Sequence, residues 1–387
     1  MTDIHIHLCS SMTEINEDDW NILTDPNDPF SHHSFLSTLE NSQSVHPHTG
    51  WLPLHLLLKN DQQELVGATP LYLKSHSYGE YIFDWSWADA SERSGIAYYP
   101  KLSSAIPFTP ATGKRFLMQH HPIDLSQALE DGLQSVMEHT QSHSHHVLFC
   151  NEQELDLLSE RYIRRLSFQF HWTNPNVEYF EQWLDLFRSK DRKKVRSERK
   201  KAQMSVDKIY WLQGQELTSD HIETIWAFYN DTCSRKWGQP YLKKEFFYEL
   251  NQSLSDLTWI CFAEKNNQIV ASSLCFQRGK HLYGRYWGCL TELNCLHFEL
   301  CYHQPIELCI QKKWTRFEAG AQGAHKLKRG LLPSPTYSLH HLKFSDLHNG
   351  VAEYIKQENA QIKEQMNKFQ SHAPLKKEHL KPLKWLI

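Results

Sequence analysis

The sequence predicts an α/β (α+β) protein built from two similar domains, each with a mixed, mostly antiparallel sheet flanked by helices. Two passages about 205 residues apart nearly repeat each other. Each contains an apolar run, a polar turn with Asn, a second apolar run and a Tyr-Gly-x-Tyr sequence that begins at Tyr78 or Tyr283. The pattern is typical of a β-hairpin followed by a third strand. Its repetition in one order predicts a duplicated domain.

The first domain is predicted to span residues 1–173. Alternating or continuous apolar runs predict its strands, and apolar residues at helical spacing predict its helices. The predicted strands are 4–8, the hairpin arms 52–58 and 65–73, then 81–85, 147–150 and 167–172. The predicted helices are 15–23, 30–39, 88–98 and 123–139. Three Pro and one Gly in 100–113 predict a loop.

The second domain is predicted to span residues 174–387. Its predicted strands are 258–263, 269–277, 282–287, 316–319 and 337–342. Its predicted helices are 190–204, 222–234, 243–254, 295–313 and the C-terminal helix 351–369. Pro305 is expected to kink the fourth of these helices. In both domains the order of elements matches the arrangement of GNAT acyltransferases, whose central strands splay so that an acyl donor can add its amide groups to an open edge.

The composition excludes several classes of protein. A formal net charge of -4 excludes a protein that binds polyanions with its whole surface, so any nucleic-acid contact requires a local basic patch. The nine Cys include no C-x-x-C pair, which argues against a zinc ribbon and favours reduced thiols. The sequence shows neither a signal peptide nor an apolar run that would span a membrane. We therefore expect a cytoplasmic protein whose oligomeric state the sequence leaves open.

The densest charge block is 188–201, with nine basic and two acidic residues in fourteen. As a helix it places Arg192, Arg196, Arg199 and Lys200 on one face, which would suit a phosphate-bearing partner. That partner could be RNA, a nucleotide-sugar or a pyrophosphate lipid. The alternative is a solvated helix without a ligand.

Two further segments contain candidate site residues in an apolar context. Tyr283 and Arg285 lie on a predicted strand with a Gly near both ends, where a ligand could approach and an anionic group could be bound. His297 and Glu299 lie on the following helix, and either could act as a general base toward an amine. The alternatives are an ordinary core strand and a carboxylate held in a structural ion pair.

A Gly-rich loop with basic residues follows the predicted strand 316–319. Backbone N–H groups in such loops bind anions. The candidate anion-binding residues here are Gln322, Gly323, His325, Lys326 and Arg329. The loop fits neither a P-loop nor a dinucleotide fingerprint. The alternative is a solvated connection.

Several histidines are spaced in the sequence as metal ligands often are. His5 and His7 form a strand-borne His-x-His pattern, but the fold that uses it needs repeated strand–helix units, and this sequence has hairpins instead. His143, His145 and His146 are expected in an exposed polar loop. We therefore predict no metal site.

Two carboxylates lie near two indoles at the end of the predicted strand 81–85. Asp84 and Asp89 could define a pocket there. Capping of the following helix by Ser86 or Asp89 is the simpler interpretation.

With these motifs assembled, the chain resembles a bacterial family of predicted N-acyltransferases, described as FemAB-like or peptidoglycan biosynthesis/recognition proteins, within the GNAT superfamily. The resemblance runs over most of the chain. It rests on the stretches 49–51, 68–81, 83–89, 98–102, 107–110, 169–172, 283–288, 296–302 and 318–330. It implies tandem GNAT-like domains.

The resemblance also implies an activity. Fem relatives transfer amino acids from aminoacyl-tRNA to a peptidoglycan precursor, so the donor here would be an acyl-CoA or an aminoacyl-tRNA and the acceptor a small or nucleotide-linked amine. This chain has Ala324 where the family has Glu, and its basic helix is short beside the helical arm of tRNA-using relatives. The alternative is a catalytically inactive GNAT-fold binding or scaffold protein. If the chain is an enzyme, we expect one pocket lined by Arg285, His297, Glu299, Gln322 and His325.

Overall fold

The structure is a computed structural model that describes residues 4–118, 123–236, 239–321 and 323–387. It divides into two compact units. Unit 1 contains residues 1–168, 335–364 and 385–387, and unit 2 contains residues 169–334 and 365–384. The division differs from the predicted one, because residues 335–364 of the predicted second domain return to unit 1.

The elements follow in chain order. The strands are β1 (His5–Cys9), β2 (Trp51–Pro53), β3 (His55–Lys59), β4 (Leu65–Thr69), β5 (Leu71–Lys74), β6 (Lys101–Ser104), β7 (Leu117–Met118), β8 (Ser144–Cys150), β9 (Ile163–Thr173), β10 (Lys208–Gln213), β11 (Thr258–Lys265), β12 (Gln268–Arg278), β13 (His281–Cys289), β14 (Arg316–Glu318) and β15 (Leu332–Leu342). The helices are α1 (Glu17–Leu23), α2 (His33–Asn41), α3 (Trp85–Arg93), α4 (Ile123–His139), α5 (Phe180–Asp185), α6 (Ser189–Gln203), α7 (Ser219–Lys236), α8 (Lys244–Tyr248), α9 (Leu296–Phe298), α10 (Gln304–Gln311) and α11 (Ser345–Ser371). A π-helical turn, Glu299–His303, joins α9 and α10 into one helical segment, 296–311.

Unit 1 contains two sheets. One has the strand order β1-β3-β4-β7, and the other includes the order β15-β8-β6-β5-β2, in which β6 and β8 run parallel. Helix α4 buries Leu129, Leu133 and Val136 against Leu56 and Val147 of the strands. These three α4 residues recur at helical spacing, so the sequence forms an amphipathic helix whose apolar stripe faces the core.

The predicted hairpin of unit 1 is confirmed, but the predicted strand 81–85 is wrong. Strands β3 and β4 pair antiparallel, with Leu57 opposite Ala68. The chain then turns at Gly79 (φ 82°) and Tyr81 (φ 60°), and helix α3 begins at Trp85. The strand that follows the hairpin arms in the sheet is β6, which lies in the predicted loop 100–113. The Tyr-Gly-x-Tyr sequence therefore forms a turn in unit 1 but part of a strand in unit 2.

A buried ion cluster fixes this turn in unit 1. The Lys101 ammonium has no exposed surface and donates to Glu80 Oε2 at 2.8 Å and to Asp84 Oδ2 at 2.5 Å. Although burial alone would raise the pKa of Asp84, Lys101 and the hydroxyl of Tyr98 lower it. Asp84 thus belongs to the core of the unit. The predicted capping of the helix by Ser86 or Asp89 is wrong, because both residues lie inside α3.

The prediction that His143, His145 and His146 lie in an exposed loop is wrong for His145 and His146. Strand β8 begins at Ser144, so His145 and His146 are buried in the sheet. His145 Nε2 lies 2.9 Å from Ser104 Oγ, and His146 Nδ1 lies 2.8 Å from His340 Nδ1. Burial lowers the pKa of both imidazoles. Within the described ranges, no group of three or more His, Cys, Asp or Glu side chains is arranged to hold a metal ion.

Unit 2 has the strand order β10-β11-β12-β13-β14-β9. The predicted hairpin is confirmed, since β11 and β12 pair antiparallel around Asn266 and Asn267, which both have positive φ. Strand β10 was not predicted. Strands β13 and β14 run parallel and are connected through helical segment 296–311. In the described part of the chain, no helix is long and apolar enough to span a membrane.

The ion cluster of unit 1 yields a stability prediction. We expect Lys101→Met to lower the free energy of unfolding by about 3–5 kcal/mol, because Glu80 and Asp84 would remain buried without their cation. Urea denaturation measures the change. The control is Lys356→Met, whose side chain is 80% exposed, with an expected change within about 0.5 kcal/mol. Equal effects of the two substitutions would contradict the structural role of the cluster.

Candidate active site in unit 2

The sheet of unit 2 opens between β13 and β14. The two strands pair over three residues only, ending with Tyr283 opposite Glu318, after which β14 stops and β13 continues to Cys289. Gly284 pairs with Cys275 and Tyr286 pairs with Leu274, so Arg285 is the extra residue of a β-bulge at this opening. The result is a splayed pair of parallel strands with a bulge at the point of divergence.

Glycine lets the chain pass closely at the opening. A Cβ atom on Gly320 would lie 3.6 Å from the carbonyl oxygen of Gly284. Gly320 also has a φ of 73°, a conformation that favours Gly. The Gly-rich loop after β14 therefore remains next to the bulge of β13.

Glu299 is fully buried in the π-helical turn, as expected from its apolar context. Its carboxylate accepts five hydrogen bonds, two from Nε of Arg199 at 3.2 Å, one from its Nη2 at 3.0 Å, one from Gln203 at 3.0 Å and one from Gln304 at 2.9 Å. Arg199 also pairs with Glu307. Because these donors surround the carboxylate, its geometry is that of a structural anion, which favours the structural ion pair over the general-base role predicted for Glu299.

The basic helix α6 contacts the site through Arg199. The side chain of Arg199 lies between those of Val195 and Ala202 along the buried face of the helix, a position that the sequence pattern alone could have indicated. On the other faces, Arg192 donates to Asp185 at 2.7 Å and Arg196 to Glu181 at 2.6 Å. Both arginines are therefore already paired with carboxylates of α5.

Lys326 is the most perturbed cation at the opening. It is 3% exposed, and its ammonium donates to the carbonyl oxygens of Gly320 at 2.7 Å and Ala321 at 3.1 Å. Burial lowers the pKa of Lys326 to about 7. Sequence reasoning assigned this residue only to anion binding, but near neutral pH it can also accept a proton.

His325, the neighbour of Lys326 in the chain, lies close to a second imidazole and a phenol. Tyr302 Oη is hydrogen-bonded to His325 Nε2 at 2.8 Å. The ring of His297 lies 6.3 Å from that of His325 and 5.2 Å from that of Trp287. Burial, together with the charges of Arg329 and Lys326, lowers the pKa of His325, which favours its neutral form.

Arg329 is held in place by neighbouring groups. Its guanidinium donates to Glu198 at 3.0 Å and to the carbonyl oxygen of His325 at 2.8 Å, and it lies 3.6 Å above the ring of Phe298. Burial would raise the pKa of Glu198, but the His303 imidazole, whose Nε2 lies 3.8 Å away, and the charge of Arg329 lower it. Arg329 therefore supports the loop that holds His325, and its charge is matched by Glu198.

Two cavities meet at Phe298. One of about 890 Å³ is lined by His325 and Arg329, and the other of about 740 Å³ is lined by Trp287, His297 and the chain around Glu292. Phe298 lines both. The imidazoles of the site thus face two separate spaces within one unit.

The predicted common pocket is only partly formed. The rings of His297 and His325 lie 6.3 Å apart, whereas Glu299 is bonded to Arg199, and neither Glu299 nor Arg285 lines the two cavities. The other predicted site residues are placed as follows: Tyr283 is buried, Lys200 is exposed, Gly323 has a φ of 98° beside His325, and Gln322 lies outside the described residues.

With this geometry established, the chain can be compared with known proteins. The model of the FemAB-like family, described as peptidoglycan biosynthesis/recognition, matches residues 11–377. The chain belongs to the FemAB-like family. No curated protein sequence matches it.

Solved structures show the same fold. The structure of FemX has a TM-score of 0.52 and 11% identity, and covers 90% of this chain and 100% of FemX. A conserved protein of unknown function from Bacteroides thetaiotaomicron VPI-5482 has a TM-score of 0.52 and 12% identity, and covers 87% of this chain and 99% of its own. The FemAB-like chain is therefore a mixed α/β protein with tandem GNAT-like domains, as the sequence predicted.

The buried pair of Arg199 and Glu299 yields a second stability prediction. We expect Arg199→Met to destabilise the protein by about 3–5 kcal/mol, because it leaves the Glu299 carboxylate buried without its cation. The matched control on the same helix is Arg196→Met, which removes an exposed pair with Glu181 and should cost less than about 1 kcal/mol. Urea unfolding compares the two, and a small effect of Arg199→Met would show that the pair is dispensable.

Proposed function

We propose that this chain is an N-acyltransferase or aminoacyltransferase of the Fem type, which moves an activated acyl group to an amine on a peptidoglycan precursor. The observation that carries the proposal is the splayed, bulged strand pair β13–β14 with Lys326, Tyr302 and His325 at its opening. An extended acyl donor can add its amide groups along β13 beyond Tyr283, where its pairing with β14 has ended, as a further strand would.

The polar groups at the opening suit the proton transfers of acyl transfer. The acceptor nitrogen attacks the donor carbonyl, a C–N bond forms, and the bond from that carbonyl carbon to the leaving group breaks. Lys326 in its neutral form accepts the proton that the nitrogen loses. The Tyr302 hydroxyl, hydrogen-bonded to His325, donates a proton to the leaving group.

The smaller cavity suits the acceptor. It combines Trp287, His297 and Phe298 with two charged groups, Arg235 and Glu292. Because Arg235 is already paired with Asp231, the carboxylate of Glu292 is left to attract an ammonium and to disfavour a phosphate. The chain between β13 and the helical segment, 290–295, contains no Gly. It therefore lacks the backbone cradle that Gly-rich loops offer to a pyrophosphate, and we place the acceptor amine rather than the donor's phosphates on this side.

The corresponding opening in unit 1 is filled by the chain itself. Strands β6 and β8 also pair in parallel over three residues, from Leu102 to Ser104. Beyond this point, the β8 carbonyls of Leu148 and Phe149 accept hydrogen bonds from Arg115 Nε at 2.7 Å and from the Gly113 N–H at 3.1 Å. These occupied acceptors support unit 2 as the unit that takes the donor.

The proposal is tested by turnover with a panel of acyl-CoA and aminoacyl-tRNA donors and amine acceptors, read by mass spectrometry. With the productive pair, Lys326→Met should lower kcat by about 10²–10⁴-fold, the range expected for loss of a general base. Glu299→Gln should leave kcat within a few-fold, since its carboxylate is committed to Arg199. Exposed Lys201→Met is the control for loss of positive charge. Absence of turnover with every donor would favour the inactive binding or scaffold protein.

The pH dependence of the reaction tests the role of Lys326. Because the neutral amine is the active form, kcat/KM should rise with pH through a limb near pH 7 and be lost below it. Lys326→Arg should be slow at every pH, since a guanidinium cannot be deprotonated in this range. The pH–rate profile of the two proteins is the measurement. An unchanged limb in Lys326→Arg would assign the ionisation to another group.

A further inference from the structure

The larger cavity of unit 2 has a wall that no part of the proposed mechanism uses. Helix α6 contributes Lys194, the turn after Gly323 contributes Lys328, and the end of the C-terminal helix α11 contributes Lys368 and Phe369. The cavity measures about 890 Å³, within the range of sites that hold cofactor-sized ligands. It therefore has room for more than the acyl group itself.

The cavity is lined by more positive than negative side chains. Four cationic side chains and two carboxylates line the cavity. The carboxylates are engaged, since Asp191 accepts from Arg188 at 3.0 Å and Glu198 accepts from Arg329 at 3.0 Å. The ammonium groups of Lys194, Lys328 and Lys368 are exposed. In the described part of the chain, no carboxylate lies within ion-pair distance of these three groups, so the cavity attracts anions.

The aromatic groups of the same cavity provide flat surfaces. Phe298 and Phe369 line it together with His325. Phe369 is half-buried and packs edge-on against Phe170 at 5.3 Å, and Arg329 covers one face of Phe298. Aromatic rings held in this way are suited to stacking with a planar base, while lysines beside them bind phosphate.

We propose that this cavity binds the nucleoside-phosphate part of a ligand, with its phosphates on Lys194, Lys328 and Lys368 and its base on Phe298 and Phe369. The C-terminal helix α11 is thereby a component of a ligand site. The inference deepens the proposed function, because the nucleotide is the carrier from which the acyl group would leave. The same chemistry is offered by the adenosine phosphates of CoA and by the 3′ end of an RNA.

Equilibrium binding to the full chain tests the inference without turnover. Calorimetric titrations at low salt would use inorganic pyrophosphate, free CoA and a short single-stranded RNA ending in CCA. We expect CoA or the RNA to bind at least about tenfold more tightly than pyrophosphate, because the base adds stacking to the phosphate contacts. The ligand that binds more tightly identifies the source of the nucleotide. Equal affinity for all three ligands, or binding of none, would overturn the proposal.

Charge reversals on neighbouring lysines locate the site. Lys194→Glu and Lys368→Glu should each weaken the nucleotide about tenfold or more, because each replaces a charged hydrogen-bond donor with a repelling carboxylate. The control is Lys193→Glu, an exposed residue on the same helix that does not line the cavity, and it should change affinity by less than about threefold at moderate salt. If Lys193→Glu and Lys194→Glu weakened nucleotide binding equally, the loss of affinity would come from the overall charge of helix α6, and the proposed site would be refuted. Binding without turnover would leave this inference intact while removing the proposed function.

Discussion

The site in unit 2 depends on one backbone constraint, the early end of the pairing between β13 and β14. Three paired residues suffice to align the strands, and after Glu318 the shorter strand leaves the sheet. From there the longer strand continues to Cys289 without β14 beside it. The loop after β14 lies next to Gly284 because the chain turns at Gly320, whose φ of 73° favours Gly. The same loop supplies the carbonyls that hold Lys326 in place. A longer pairing would close the opening and displace the lysine.

Local patterns predicted well those parts of the fold that are held by local forces. The hairpin β11–β12 and helix α4 were found because their turn residues and apolar spacing lie close together in the sequence. The partner of Glu299 could not be found in this way. The burial of a carboxylate in an apolar segment was evident, but its cation, Arg199, lies 100 residues earlier in the chain. Only the fold brings the two together, and their pairing is what favours a structural role for Glu299 over that of a base.

The misplaced third strand of unit 1 shows a different limit. One tetrapeptide pattern serves as a turn at Tyr78 and as a strand at Tyr283, because positive φ at Gly79 and Tyr81 bends the first copy. The strand that does follow in the sheet, β6, begins with Lys101. A lysine is expected to be exposed as long as its carboxylate partners are unknown. Residues that are buried through distant partners carry no sequence signature of their burial. The contribution of Lys368 and Phe369 to the larger cavity was not predicted either, since helix α11 reaches it from far along the chain.

The segmented path of the chain has a consequence for the order in which the protein folds. Strand β8 of unit 1 pairs with β15, where Ser338 lies opposite Leu148, so the sheet of this unit is completed by residues made after nearly all of unit 2. During synthesis on a ribosome, the long piece 169–334 of unit 2 can begin to fold while unit 1 still has an open strand edge. Unit 2 in turn needs residues 365–384, so neither unit is complete until the last part of the chain has been made.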